Sequence, residues 1–286
     1  MTYEYFLTRL EEKIRERQEE GEKICRVQVL KNNSMKLDGF SYCVEGHKER
    51  PTVYVNHYYR EDLTERELEE TADLALKALR ECRLFPGRGV EQILNYRRMK
   101  DRIFCRLISR EKNEELLARV PWLPWLDLAI VFCLFIPEHI VERASALIHR
   151  SHMECWGITQ EELHQAAAEN MAKMPVLLEP METLLEGYGF DVLSSGLYVL
   201  SNKRKEYGAA AIIDPAVQRM CYERLGEDYY VLPSSVHELI LLPESLFTGR
   251  EELDALIQEV NENCVSQEEY LGSHAYYYSH ETGKLE

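Results

Sequence analysis

Ser234, Ser235, His237 and Glu238 stand close together in YYVLPSSVHELILLP and hold, by type, a nucleophile, a base and an acid. A histidine can take the proton of a serine hydroxyl, and a carboxylate such as Glu238 or the more distant Asp214 can orient the ring. The segment has a second reading, because Pro-Ser-Ser is also ordinary turn chemistry and neighbours on one hairpin seldom reach catalytic geometry. His149, His152 and Cys155 recur every third residue, and on one helix face they could hold a transition metal. HRSHME, however, straddles a strand end and a helix cap, which breaks that register. His237-Glu238 opens like a zincin, but Leu241 stands where the second histidine belongs. No GxGxxG, GxxxxGK[ST] or GxSxG occurs, so no metal and no cofactor are expected.

Residues suited to binding are more widely spread. Asn202, Lys203, Arg204 and Lys205 are the one basic run in the second half and could grip a phosphate or carboxylate, or form a solvated hairpin tip. Asn32 and Asn33 read as a turn first and a binding element second. Tyr54, Asn56 and Tyr58 alternate, which would put polar-aromatic side chains on one strand face. Between Arg97 and Arg119 eight basic residues face four acids, and Arg102, Phe104 and Arg106 share a face that could track phosphates.

The elements that must position these residues follow from periodicity. Tyr3, Phe6, Leu7, Leu10 and Ile14 predict a helix over 3–20. CRVQVLK, FSYCV and TVYVNHY predict strands, and Thr64 with Glu67 caps a helix to about Cys82. A strand is expected near Arg102–Leu107, a short helix over 112–120, and strands at 128–136 and 145–149. Capping boxes at Ser151/Glu154 and Thr159/Glu162 open further helices, the second to about Met171. GLYVLS and AAAIID read as two strands of a hairpin. Asp214, Pro215 and Gly226 bound a helix, YYVL and ELILLP form a second hairpin, and Thr248 with Glu251 opens a last helix. Strand-strand-helix units of this kind predict an α+β fold with largely antiparallel sheets and helices on one face. The Pro- and Gly-punctuated stretch 174–189 reads as a hinge between subdomains 1–173 and 190–286.

The chain has 286 residues and a formal charge of −16. Residues 1–150 carry 26 basic and 26 acidic residues; residues 151–286 carry 8 and 24, so the second half holds the whole excess. Such a charge opposes nucleic-acid affinity and favours attraction to a basic partner. The longest apolar run, Leu128 to Ile136, is nine residues, far short of the roughly 20 that a membrane helix needs. The N-terminus lacks the basic start and apolar stretch of a signal peptide. No two of the eight cysteines lie closer than 18 residues, which excludes CxxC spacing and predicts reduced, mostly buried thiols in a cytoplasmic protein.

VLKNNSMKLDGFSY, PTVYVNHYYREDL, RLISREKNEELLARVPWLPWLDLAIVF, ECWGITQEELHQAAAEN, LYVLSNKRKEYGAAAIID and YYVLPSSVHELILLPES together resemble one uncharacterised bacterial family, a domain of unknown function. That family is common in anaerobic gut bacteria and near mobile genetic elements. The resemblance runs from about Val27 to Tyr278 and implies a fold unit without implying a chemistry. The expected function is therefore non-catalytic binding of another protein, and the charge favours a basic one. The alternatives are a small hydrolase-like enzyme using Ser235, His237 and Asp214 or Glu238, and an acidic mimic of nucleic acid.

Overall fold

The N-terminal stretch switches from helical to alternating apolar spacing, and the backbone follows that switch. A computed structural model describes residues 1–42, 52–83, 95–136, 145–183, 195–246 and 250–286. Helix α1 (Tyr3–Glu16) starts at Thr2, whose hydroxyl accepts from the Tyr5 N–H at 3.3 Å. It buries Phe6, Leu7, Leu10 and Ile14, the residues at spacings of three and four. Strands β1 (Ile24–Leu30), β2 (Lys36–Tyr42) and β3 (Thr52–Tyr54) form an antiparallel sheet in that order. Helix α2 (Glu65–Arg83) opens on the expected box: the Thr64 N–H donates to Glu67 Oε2 at 2.9 Å, and the Glu67 N–H returns to Thr64 Oγ1 at 3.3 Å. Phe6, Leu10, Phe40, Leu68 and Leu79 share one core, each contributing about 1.5–3 kcal/mol by burial. Beside it the Glu22 carboxylate accepts from Arg80 Nε (3.1 Å) and NH2 (2.8 Å), the Tyr42 hydroxyl (3.1 Å) and the Glu19 N–H (2.9 Å). These elements make one compact unit, residues 1–31 and 35–94.

Residues 32–34 and 95–286 form the second unit. In it β4 (Ile103–Ser109) lies along one edge of β6 (Leu128–Phe135), while β5 (Trp122–Trp125) and β7 (Ser145–Leu147) follow each other along the other, all antiparallel. Every residue of β6 is buried, as its uninterrupted apolar sequence requires. Helix α3 (Arg150–Trp156) precedes α4 (Gln160–Met171), which opens on the Thr159/Glu162 box and turns Leu163, Ala166 and Ala167 inward. A second antiparallel sheet has the order β13-β12-β10-β11-β9-β8. Its strands are β8 (Val176–Pro180), β9 (Tyr198–Asn202), β10 (Tyr229–Leu232), β11 (Leu239–Pro243), β12 (Tyr276–Ser279) and β13 (Lys284–Leu285). Helix α5 (Pro215–Leu225) has Asp214 as N-cap, Pro215 in its first turn and Gly226 at φ +85°; helix α6 is Arg250–Cys264. The architecture is α+β with antiparallel sheets. Among the described residues no helix is long and apolar enough to cross a membrane.

Several elements differ from the sequence expectation. AAAIID is not a strand: Gly208–Ile213 is a buried 3-10 segment, because both edges of β9 are already taken by β8 and β11. Gly208 lies so close to its neighbours that an added Cβ would sit 2.6 Å from the Asn202 nitrogen and 2.7 Å from the His237 carbonyl. Helix α3 is capped by His149, so Ser151 falls inside it. Within the stretch read as a hinge, Val176–Pro180 is strand β8, paired to β9 along its length. The boundary between compact units falls instead between residues 94 and 95, and residues 184–189 of the hinge lie outside the described ones. Thr248 lies outside them too. Cys105, Cys133 and Cys221 are buried free thiols, and Cys155 and Cys264 are exposed free thiols. Cys25 is disulfide-bonded, which corrects the expectation of reduced thiols at that position.

Candidate ligand-binding groove

The turn between β10 and β11 consumes the groups that could have done chemistry. Ser235 is 9% exposed, and its Oγ accepts from the His237 N–H at 3.1 Å and the Glu238 N–H at 3.3 Å. The Ser235 N–H donates to the Glu238 carbonyl, so hydroxyl and backbone together close a serine turn. The His237 Nδ1 accepts from the Tyr207 N–H at 3.2 Å, so it carries no proton to share with an orienting carboxylate as a catalytic histidine would. Its Nε2 lies 3.7 Å from Glu269 Oε1, and burial lowers the ring's pKa against the opposing pull of that carboxylate. Glu238 is exposed, Ser234 donates its N–H to the Leu232 carbonyl, and Asp214 accepts from the Ala216 N–H at 2.8 Å as a helix cap. Ser235→Ala should therefore lower stability by about 1 kcal/mol and leave p-nitrophenyl acetate hydrolysis unchanged. A fall in that rate with unfolding unaffected would restore the nucleophile.

The remaining expected residues sort by what holds them. His149 and His152 close the start of α3, where the His149 N–H donates to His152 Nδ1 at 2.8 Å, and Cys155 is exposed. Among the described residues no three His, Cys, Asp or Glu side chains group as a metal would need. Asn32 donates Nδ2 to the Glu268 carbonyl at 2.6 Å. Asn33, at φ +56°, donates Nδ2 to the Gln267 and Tyr270 carbonyls at 2.7 and 2.8 Å. It also exchanges bonds with Asn113: the Asn33 N–H meets Asn113 Oδ1 at 2.7 Å, and Asn113 Nδ2 meets Asn33 Oδ1 at 2.9 Å. The strand expected to carry Tyr54, Asn56 and Tyr58 ends at Tyr54, and Asn56–Tyr58 is a 3-10 turn. There Asn56 accepts from the Asp38 N–H and donates to the Tyr3 hydroxyl, while Tyr58 packs on the core. Tyr54 lies under the Lys31 ammonium at 4.8 Å.

The basic loop after β9 remains open to solvent. Asn202 is buried and shapes it, accepting from the Arg204 N–H at 2.9 Å and donating to the Glu206 carbonyl at 2.8 Å. Lys205, at φ +55°, completes the turn. The loop thereby points Lys203 and Arg204 into an open groove of about 700 Å³, where Lys173, beyond the end of α4, joins them. Phe104, Met174 and Pro175 give the groove an apolar wall; Asp101 is its one acid among the described residues, and Asn170 anchors its base by donating to the Lys100 and Ile103 carbonyls. Arg204 pairs with Glu206 at 3.2 Å and lies 4.3 Å over the Phe135 ring. Among the described residues neither Lys173 nor Lys203 makes an ion pair.

An aromatic ladder continues inward from Arg204. Phe135 stacks on Tyr207 at 6.1 Å and Tyr207 on His237 at 5.3 Å, with the Arg106 guanidinium 4.6 Å over the Tyr207 ring. Arg106 Nε is enclosed without a hydrogen-bond partner. The sequence marked Lys203, Arg204, Phe104 and Arg106. It missed Lys173, Phe135 and Tyr207, which carry no local signal because separate elements deliver them. Residues 3–280 match the model of a family of unknown function (DUF5688). The chain belongs to that family. The groove, the ladder and the Ser235 turn all lie within the DUF5688 match. No curated protein and no solved structure matches this DUF5688 member.

Proposed function

We propose that this protein works by binding another protein, without chemistry of its own, and that the groove beside Phe104 takes an acidic segment of that partner. The observation that supports this reading is the convergence of Lys173, Lys203 and Arg204 on one open groove in a chain of net charge −16. Among the described residues two of these cations have no carboxylate partner, so the local field favours an anion. The reach of that field is short, roughly 8 Å at physiological salt. A short acidic peptide feels mainly the groove, whereas a nucleic-acid strand running beyond it lies along a chain of net charge −16. Phe104, Met174 and Pro175 add a surface for one apolar side chain between carboxylates. The occupied hydrogen-bonding groups of Ser235 and His237 weigh against the hydrolase alternative.

The probe is a fluorescein-labelled ten-residue peptide of glutamates around a central phenylalanine, titrated by anisotropy at low and physiological salt. Saturable binding should weaken at least tenfold in Lys173→Glu/Lys203→Glu, a change of about 1.4 kcal/mol or more. Equal affinity for both proteins would remove the groove from the function. Tighter binding of a labelled ten-nucleotide single-stranded DNA would overturn the protein-partner reading.

A further inference from the structure

We infer that the free edge of β8 receives an extended segment of the partner, which adds a strand to the six-stranded sheet and carries acidic residues to the groove beside Phe104. This inference rests on the binding function proposed above. Strand β8 (Val176–Pro180) ends its sheet and pairs on one side only, with β9. The Lys203 N–H donates to the Pro175 carbonyl at 3.0 Å, and the Met181 N–H to the Leu197 carbonyl at 2.9 Å. Backbone groups alternate along a strand, so the odd-numbered residues between these two bonds face β9. Val176 and Leu178 therefore turn both N–H and C=O away from β9, and Pro180 turns its C=O away. Among the described residues none of these groups has a partner.

An edge with unpaired N–H and C=O groups is a template for a further strand. Pro180 closes it at one end, since its missing N–H would face outward. The groove lies at the other end: Met174 and Pro175, which form its wall, are the two residues before β8, and Lys173 precedes them. These cations choose the occupant, because acids placed just beyond the added strand complement them. Every pair in the sheet is antiparallel. An incoming strand of the same sense has its C-terminal end at Val176, so in the partner's sequence the acids follow the strand. Leu178 pairs with Leu200, which is fully buried, so partner residues opposite Leu178 and Val176 extend an apolar row. The partner segment thus carries two apolar residues at alternate positions and then a run of acids.

The experiment titrates the full chain, by anisotropy, with the fluorescein-labelled peptide Thr-Val-Thr-Val-Thr-Glu-Glu-Phe-Glu-Glu. Two modified forms accompany it, one N-methylated at both valines and one at the two threonines that follow them. The valine amides face β8 in the inferred register and the threonine amides face away. Methylating the valines should weaken binding at least about tenfold, and methylating the threonines should change it less than about threefold. Leu178→Pro removes only an outward N–H of the edge and should weaken binding about fivefold or more while circular dichroism stays native. Equal affinities for the two methylated forms would overturn strand addition, and the groove reading would stand if Lys173→Glu/Lys203→Glu still weakened the unmodified peptide. Loss of that lysine dependence would remove both. A wild-type chain that sediments as a dimer, broken by Leu178→Pro, would assign the edge to a second copy and overturn the partner segment.

Discussion

Glu22→Gln is expected to cost the first unit about 2–3 kcal/mol at pH 7 and almost nothing near pH 2. The Glu22 side chain is 1% exposed. Hydrogen bonds from Arg80 outweigh the cost of burial and, with the Glu19 N–H and the Tyr42 hydroxyl, pull its pKa from 4.5 to about 2. A carboxylate depressed on folding stabilises the fold fully above its unfolded value and loses that contribution as pH falls from about 4.5 towards 2. The depression corresponds to roughly 3 kcal/mol; the Arg80 side chain is 35% exposed, so solvent screening trims the figure. Urea unfolding followed by far-ultraviolet circular dichroism at pH 7, 5, 3.5 and 2.5 tests this. The gap between wild type and variant should shrink steadily on acidification. A gap that stays constant over that range would show that the carboxylate charge is not what stabilises the site.

Asn113→Ala should cost the second unit about 3–5 kcal/mol. Asn113 is fully buried, and its loss leaves the Asn33 N–H, the Asn33 Oδ1 and the Ser109 carbonyl without the bonds it supplied. Each stranded buried group costs roughly 1–3 kcal/mol. Asn33→Gly is the matched partner variant, because Gly accepts the φ of +56° and removes only the amide. The double variant should recover about 1–3 kcal/mol relative to the sum of the single ones. Tryptophan fluorescence reports the relevant unit, since Trp122, Trp125 and Trp156 all lie in it. A single-variant cost below about 1 kcal/mol would mean that water replaces the amide, contrary to the burial.

Local signals in the sequence carried the caps and hairpins well. Thr64 with Glu67, Thr159 with Glu162, and Asp214-Pro215 with Gly226 each act within one helix turn, and each appears in the structure as expected. Partnering between distant strands was not legible. AAAIID has strand composition, but it is the closure of both β9 edges that makes it a 3-10 segment. Trp122–Trp125 contains a proline, which hid an edge strand. The tyrosine-rich Tyr276–Ser279 became strand β12 only because β10 offered an edge. For the groove, Lys203 and Arg204 were visible as a charge run, whereas Lys173 looked like any residue near a helix end. Ser235 and His237 misled for the opposite reason: their types matched a reaction, and only geometry assigns their hydrogen bonds to the backbone.

The Asn33 amide sets a timing requirement on the growing chain. Its carbonyl partners belong to Gln267 and Tyr270, 234 and 237 residues further on. At synthesis rates of about 5–20 residues per second, roughly 12–47 s pass between the appearance of Asn33 and that of the groups that satisfy it. Until then the NNS tip between β1 and β2 keeps its amides in water, and the second unit stays unfinished until nearly the last residue has been made.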